Sequence, residues 1–329
     1  MPLPFQDHIY LDESGPGYAL RMAGENYLTF SQIIREVASL GHCYIPNTSA
    51  EKIAFWFGAD PSQLCRAIQR TYRKQGVMVT SFMGHNIHWN YHIRQTRPQI
   101  CPLCLWQYGR AFASWDVRLV TCCPEHRCQL VDKCEECGRP ISWRRPSLFQ
   151  CQCGAIFLSS VQEYIPSREE RWLSQHICNL LCPEQVRATN IINNKYAWLA
   201  EFSLHALLRF IWAIGVTNEE RKREKCPQGS CFPHPKDASA LVNRFFNRID
   251  RLINMSQDDP LDISKINTDA ILALINENSS IGEHFLLTTI MYLLPISTRE
   301  RRAIIEYFYI PQLSFDFYNI PWRKINYTI

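Results

Sequence analysis

The sequence predicts a mainly α-helical protein with small zinc-ribbon β elements. Its order is an N-terminal helix-turn-helix region, a tandem zinc block and a C-terminal helical bundle. Three observations predict this. Metal-binding side chains crowd residues 101–153 in pairs. Apolar residues on both sides of that block recur at helical spacing. Cap and turn residues mark where successive helices start and stop. The reading divides the chain into an N-terminal helical domain (1–95), a zinc-binding domain (96–160) and a C-terminal helical domain (161–329). A length of 329 residues leaves room for two or three cores.

In the first region, 47–58 reads as a helix carrying Ile53, Ala54, Phe55 and Phe57. Gly58-Ala59 breaks it, Asp60 is placed to cap a second helix, and Pro61 suits its first position. The second helix is expected to run to Gly76, giving the outline of a helix-turn-helix. Leu64, Ala67, Ile68 and Thr71 would share one side of it, and Arg66, Arg70, Arg73 and Lys74 would form a basic stripe on another. That stripe is either a solvated face or a surface for nucleic-acid phosphates or an acidic partner.

The middle block holds Cys101-Pro-Leu-Cys104, Cys123-Pro-Glu-His126, Cys134-Glu-Glu-Cys137 and Cys151-Gln-Cys153. Two-residue gaps, and the tighter Cys-x-Cys turn, let both side chains of a pair bend onto one ion. Four pairs make two closed tetrahedral sites, one with three cysteines and a histidine and one with four cysteines. We therefore expect two Zn²⁺ per chain, both structural, because a closed site keeps no position for water or substrate. Cys122 adjoins Cys123, but the spacing to His126 selects Cys123. Cys128 is an alternative to His126. Cys178, Cys182, Cys226, Cys231 and His234 are either core and surface groups or the makings of a third site.

From Pro166 onward the pattern is helical. Ser167-Arg-Glu-Glu170, Ser280-Ile-Gly-Glu283 and Ser297-Thr-Arg-Glu300 fit capping boxes. The first starts a helix lined by Trp172, Leu173, His176, Ile177, Leu180 and Leu181 and stopped at Pro183. A second, nearly all-round apolar helix is expected over 196–215, and a third carries Leu241, Val242, Phe245, Phe246, Ile249, Leu252 and Ile253. Polar residues 217–239 read as a long loop. The last helices, about 283–294 and 298–309, would place Arg299, Arg301 and Arg302 near the start of a second helix-turn-helix.

Composition bounds the function. With 46% hydrophobic and 20% charged residues the chain is ordinary globular protein. A net charge of +4 permits nucleic-acid binding without demanding it. The odd total of 15 cysteines, with metal spacing, points to reduced thiols. The first residues lack the basic and apolar regions of a signal peptide, and the longest apolar stretch, 285–296, is too short to span a bilayer. A cytoplasmic protein with no membrane role is expected. No phosphate-binding loop, His-Glu-x-x-His motif or deaminase signature is present, and the loose cluster of His85, His88 and His92 reads as packing. No catalytic constellation emerges, so the chain is expected not to be an enzyme.

These residues together resemble the TniQ/TnsD proteins of heteromeric bacterial transposons. The resemblance rests on Asp12-Glu13-Ser14 followed by Tyr18-Ala-Leu-Arg21, then Arg97-Pro-Gln-Ile-Cys101-Pro-Leu-Cys104-Leu105. Tyr108-Gly-Arg110, Trp115, Cys123-Pro-Glu-His126, Leu130 and Cys134-Glu-Glu-Cys137-Gly138 continue it. It covers about 55 residues densely and about 150 loosely, and the C-terminal half only as a helical region. Gly15-Pro16-Gly17 departs from the family, which has a helix-compatible stretch there. The resemblance implies a target-selection factor that recruits an AAA+ regulator ATPase and, through it, the transposase. Shorter members are similar to adaptors on an RNA-guided CRISPR Cascade-type effector ribonucleoprotein, in some systems as homodimers. Longer ones bind an attachment site in target DNA directly. The mild basic charge favours the adaptor. A stand-alone DNA-binding regulator and a zinc hydrolase are the competing readings.

Overall fold

Ser14 cannot continue the extended backbone before it and also leave the next turn's N–H groups bare, so it caps a helix. Its hydroxyl accepts from Gly17 N–H, and α1 runs Gly15–Glu25. The computed structural model that shows this describes residues 1–38, 43–74, 76–88, 90–157, 164–185, 194–217, 219–220, 234–254 and 266–277, with 283, 286–288 and 290. The described chain is mainly helical with small antiparallel sheets. It divides into two compact units, Met1–Thr189 with Phe232–Ala240, and Asn190–Cys231 with Leu241–Ile329.

In the first unit the departure at Gly15-Pro16-Gly17 turns out to be the helix start itself. A Cβ on Gly15 would lie 2.5 Å from Ile68 Cγ1 and 2.9 Å from the Ala67 carbonyl, and one on Gly17 would lie 2.8 Å from Ala111 Cβ. Close approach, rather than helix propensity, demands glycine there. Helix α2 (Phe30–Val37) opens with a capping box between Thr29 and Gln32. A short 3₁₀ turn, Asn47–Ser49, leads into α3 (Ala50–Phe57). Gly58, at φ 81°, closes α3, and Asp60 accepts from Gln63 N–H to start α4. Tyr18, Phe30, Phe57 and Leu64 bury this helical cluster.

Helix α4 spans only Pro61–Ala67, which corrects the expected run to Gly76. Ile68 turns extended, and Arg70–Lys74 forms β1, paired antiparallel with β2 (Val77–Phe82), which pairs with β3 (His85–His88). The reason is local. Ile68, Thr71, Tyr72, Val77, Val79 and Thr80 supply β-branched and aromatic residues, and Gly76, at φ 83°, serves a hairpin turn rather than a helix end. Arg70, Arg73 and Lys74 therefore lie on an edge strand, not on a helical stripe.

The rest of the unit holds α5 (Pro102–Tyr108), a two-stranded hairpin of β4 (Cys122–Cys123) and β5 (Cys128–Gln129), and α6 (Arg168–Leu181). The Ser167–Glu170 capping box opens α6 as expected, and Leu173, Ile177 and Leu181 form its buried stripe. Glu170 also accepts from Thr121 and Ser239 hydroxyls.

The second unit is built on α7 (Leu204–Gly215), the bulk of α8 (Pro235–Asn254) and α9 (Thr268–Asn276). The single helix expected over 196–215 is broken. Residues Asn194–Glu201 are 3₁₀, and Ser203 then caps α7 by accepting from Ala206 N–H. All of α7 except His205 is buried, as its all-round apolar sequence requires. Phe210 stacks on Phe202 at 5.4 Å and meets Phe245 edge-on at 5.5 Å. Gly215 lets α8 approach: its Cβ would lie 2.6 Å from the Leu241 carbonyl oxygen. Residues 280 and 291–309, which carry two expected capping boxes and Arg299, Arg301 and Arg302, lie outside the described residues. Among the described residues no helix is long and apolar enough to cross a membrane.

Two outcomes follow. Gly15→Ala should destabilise the first unit by about 1–3 kcal/mol in a urea titration, because the fixed Ala67 backbone as well as the buried Ile68 side chain blocks the new methyl group. In the second unit, partial burial pushes the Glu277 carboxyl up. Hydrogen bonds from His205 (2.8 Å) and Arg209 outweigh that and hold it at about 2 against an ordinary 4.5. Its stabilisation is thus present above pH about 4.5 and lost as pH falls toward about 2. Glu277→Gln should lower the thermal midpoint at pH 7 and flatten the loss across that window.

Candidate metal centres

Two groups of four donors converge. Cys101, Cys104, Cys123 and His126 form one and Cys134, Cys137, Cys151 and Cys153 the other, with donor atoms within 4.8 Å of one another in each. The sequence pairs are brought together by simple local means. Cys101 precedes Pro102, which opens α5, so Cys104 falls one turn on and faces the same side. The β4–β5 hairpin supplies the other half. Arg127, at φ 53°, tightens its turn, and the N–H of His126 points at Cys123 Sγ from 3.3 Å.

The distances suit a tetrahedral ion. Bonds of about 2.3 Å to sulfur and 2.0 Å to nitrogen place sulfurs about 3.8 Å apart and sulfur and nitrogen about 3.6 Å apart. Cys104 and Cys123 sulfurs are 3.5 Å apart, and His126 Nδ1 lies 3.6, 3.1 and 3.5 Å from Cys101, Cys104 and Cys123. The far ring nitrogen, Nε2, sits 2.9 Å from Gln107 Oε1. Donation there leaves Nδ1 as the lone-pair side, which is the orientation a metal needs. Hydrogen bonds from Cys101, Cys104 and Cys128 hold the Cys123 thiol well below its ordinary pKa, and the His126 N–H adds to this.

The second group is two knuckles. Gly138 (φ 67°) donates to the Cys134 carbonyl, and Gly154 (φ 95°) to the Cys151 carbonyl. Cys134 and Cys153 sulfurs are 3.7 Å apart, and Cys137 and Cys151 sulfurs 3.9 Å. The Ala155 N–H lowers the Cys153 thiol to about 7.

What braces the two groups was not legible in the pairs. Trp106, on α5, packs against Phe149 at 4.8 Å and donates from Nε1 to the Phe157 carbonyl at 2.7 Å. Arg145 is buried, donates to the Ser142 and Ser147 carbonyls, and lies 5.1 Å from the Trp143 ring. Ile100 and Val131 exchange both backbone hydrogen bonds across the first group. The N-terminal residues tie in as well. Ser14 N–H donates to the Ala111 carbonyl, Ala113 N–H to the Asp12 carbonyl, and Ser14 Oγ to Asp116 at 2.6 Å. Arg110 pairs with Asp12 and covers the Tyr10 ring at 4.2 Å.

The remaining candidates separate. Cys122 is buried with its sulfur 3.4 Å from Ser174 Oγ, on the opposite face from Cys123. Cys178 and Cys182 line a shallow cleft with Cys104, Phe112, Trp115 and Cys123, and belong to neither donor group. Cys226 and Cys231 lie outside the described residues, and His234 contacts Asp132 at 3.2 Å. His85 meets the Leu180 carbonyl at 3.0 Å, and His92 is buried. Arg66, Arg70, Arg73 and Lys74 are all exposed. Arg66 is in the last turn of α4, and the other three lie on β1. Strand alternation puts Arg70 and Lys74 on one side and Arg73 on the other.

Residues 4–130 match the model of the TniQ family, described as TniQ. That span takes in α1 to β5 and the whole first donor group, and ends before the second. No curated protein matches the chain. Elemental analysis should find two zinc ions per chain, and Cys134→Ser should keep one and lose solubility. Structural zinc contributes folding free energy on the order of 10 kcal/mol, so the second group should not hold without a ligand. One ion or none in the unaltered protein would refute the two-centre arrangement.

Proposed function

The chain belongs to the TniQ family through residues 4–130, and from that premise we propose that it is an adaptor for target selection in DNA transposition. Membership makes it a transposition target-selection protein in general terms. The finer reading is that it joins a target-bound complex, of the RNA-guided CRISPR Cascade type, to an AAA+ regulator ATPase and so to the transposase. It acts in this reading without catalysis of its own.

The observation that carries the proposal is the pair of complete donor groups inside and beside the family match. Each offers four protein ligands. Zinc bound there would cross-link the chain, and a filled tetrahedron leaves no open position for substrate or activated water. This favours a scaffold over the zinc hydrolase. The absence of a phosphate-binding loop from the sequence agrees, since the ATPase would then be a separate partner.

A direct hold on target DNA is the second reading, and one observation favours it. Helices α3 and α4 are separated by Gly58-Ala59-Asp60, in helix-turn-helix order, and the β1–β2 hairpin follows at once. Arg66, Arg70, Arg73 and Lys74 are exposed there, with Arg70 5.6 Å from the Tyr72 ring. Exposed guanidinium groups beside an aromatic ring suit phosphate contact. The net charge of +4 remains small for a protein that finds a site unaided. We therefore assign this surface to contacts made inside a larger nucleoprotein assembly.

Two measurements test the proposal. Purified protein should co-elute with an effector ribonucleoprotein and then retain the ATPase, and it should hydrolyse neither nucleotide nor DNA alone. Tight, sequence-selective binding to DNA without co-elution would replace the adaptor by the direct site-binder. Replacing Arg66, Arg70 and Arg73 together by Ala should leave folding intact, because all three are exposed. It should flatten the salt dependence of nucleic-acid binding by about one unit of slope per lost phosphate contact. An unchanged slope would return these residues to a solvated face.

A further inference from the structure

We propose that the first metal centre has five donors for four positions, with Cys128 a reserve ligand that exchanges with His126. This rests on the metal-centre reading above, and three observations carry it. The first is register. In the β4–β5 hairpin Cys123 stands directly opposite Cys128. Directly opposed residues of an antiparallel pair put their side chains on the same face. Cys123 faces the donor group, so Cys128 faces it too, whereas Cys122, one residue earlier, faces Ser174 on α6. The second is distance. Cys128 Sγ lies 3.6 Å from Cys101 Sγ. That is the separation two sulfurs adopt on one tetrahedral zinc, about 3.8 Å.

The third observation is where the donors sit. Cys101, Cys104 and Cys123 are buried, while His126 and Cys128 are both half-exposed at the rim. Three donors are thus fixed by packing, and the two that compete share one short hairpin. Zinc accepts three cysteines and a histidine as readily as four cysteines, having no geometric preference of its own. With zinc bound, exchange would replace the His126 nitrogen by the Cys128 sulfur as ligand. The thiol proton of Cys128 leaves to the freed imidazole or to water, so no oxidant is needed. Local charge sets the resting state. Glu125, which accepts from Tyr108 OH and Gln107, stands beside the site and disfavours a fourth thiolate. Gln107 meanwhile holds His126 in its ligating orientation. His126 is therefore the resident ligand and Cys128 the reserve.

The test is metal content and cobalt spectroscopy on the full chain and its variants. Unaltered protein and Cys128→Ser should each hold two ions. His126→Ala should also hold two, and after cobalt substitution its thiolate-to-metal charge-transfer absorption should gain the contribution of one more sulfur. The His126→Ala/Cys128→Ser double variant should fall to one ion. If His126→Ala alone falls to one ion while the unaltered protein keeps two, the proposal is overturned and the metal-centre reading stands. If the unaltered protein holds fewer than two, both fail together. Where His126→Ala does not fold, His126→Gln, which keeps the side-chain volume, takes its place. Failure of both to fold while Cys128→Ser folds also overturns the reserve role.

Discussion

Between Cys101 and Phe157 the chain has little regular structure of its own. It holds a seven-residue helix, some 3₁₀ turn and two strands of two residues each. Elements that short cannot bury enough apolar area to offset the entropy of ordering the backbone. A metal held by four donor atoms, twice, would take over that role. Each would close a loop between distant cysteine pairs. Other packing surrounds the two groups: the Ile100–Val131 pairing, the seat of Trp106 against Phe149, and the backbone exchange of Asp12 and Ser14 with Ala111 and Ala113. The last of these couples the start of the chain to its middle. A weak first centre would therefore be felt in α1, which is far away in sequence.

Much of this was readable from the residues because the signals are local. Donor pairs two residues apart, Asp60-Pro61 at a helix start, and the Ser167–Glu170 box are each decided within one turn of chain, and each appears where expected. The expectation failed where a local signal had two meanings. Gly76 suits a helix end and a hairpin turn alike, and basic residues spaced at i, i+4 and i+7 do not say that they are helical. The β-branched residues from Ile68 to Thr80 decided for strands. Ser203 likewise ended an apolar run that periodicity alone read as continuous.

What could not be read depends on partners far apart. Asp116 takes a hydrogen bond from Ser14 across 102 positions, and burial raises its carboxyl to about 7. Trp106 reaches Phe157 across 51 positions. Arg145 is buried although the identical residue beside it, Arg144, is exposed. No spacing rule encodes these, because the partners are set by the tertiary fold and not by the local sequence. Gly15 and Gly17 belong to the same class. They look like breaks in a helix, and their reason lies in Ala67, Ile68 and Ala111.

Among the described residues the strand β1 has an open side, since it ends the β1-β2-β3 order. Unpaired N–H and C=O groups along such a border invite another strand to join, in a second molecule as readily as in a partner. Here that border is five residues long and carries Arg70, Arg73 and Lys74. Two copies brought border to border would set cation against cation within a few ångströms, and the sheet stays closed to growth. The positive charge thus opposes edge-to-edge association. Stripping it away, by substitution or under a bound polyanion, would remove that opposition.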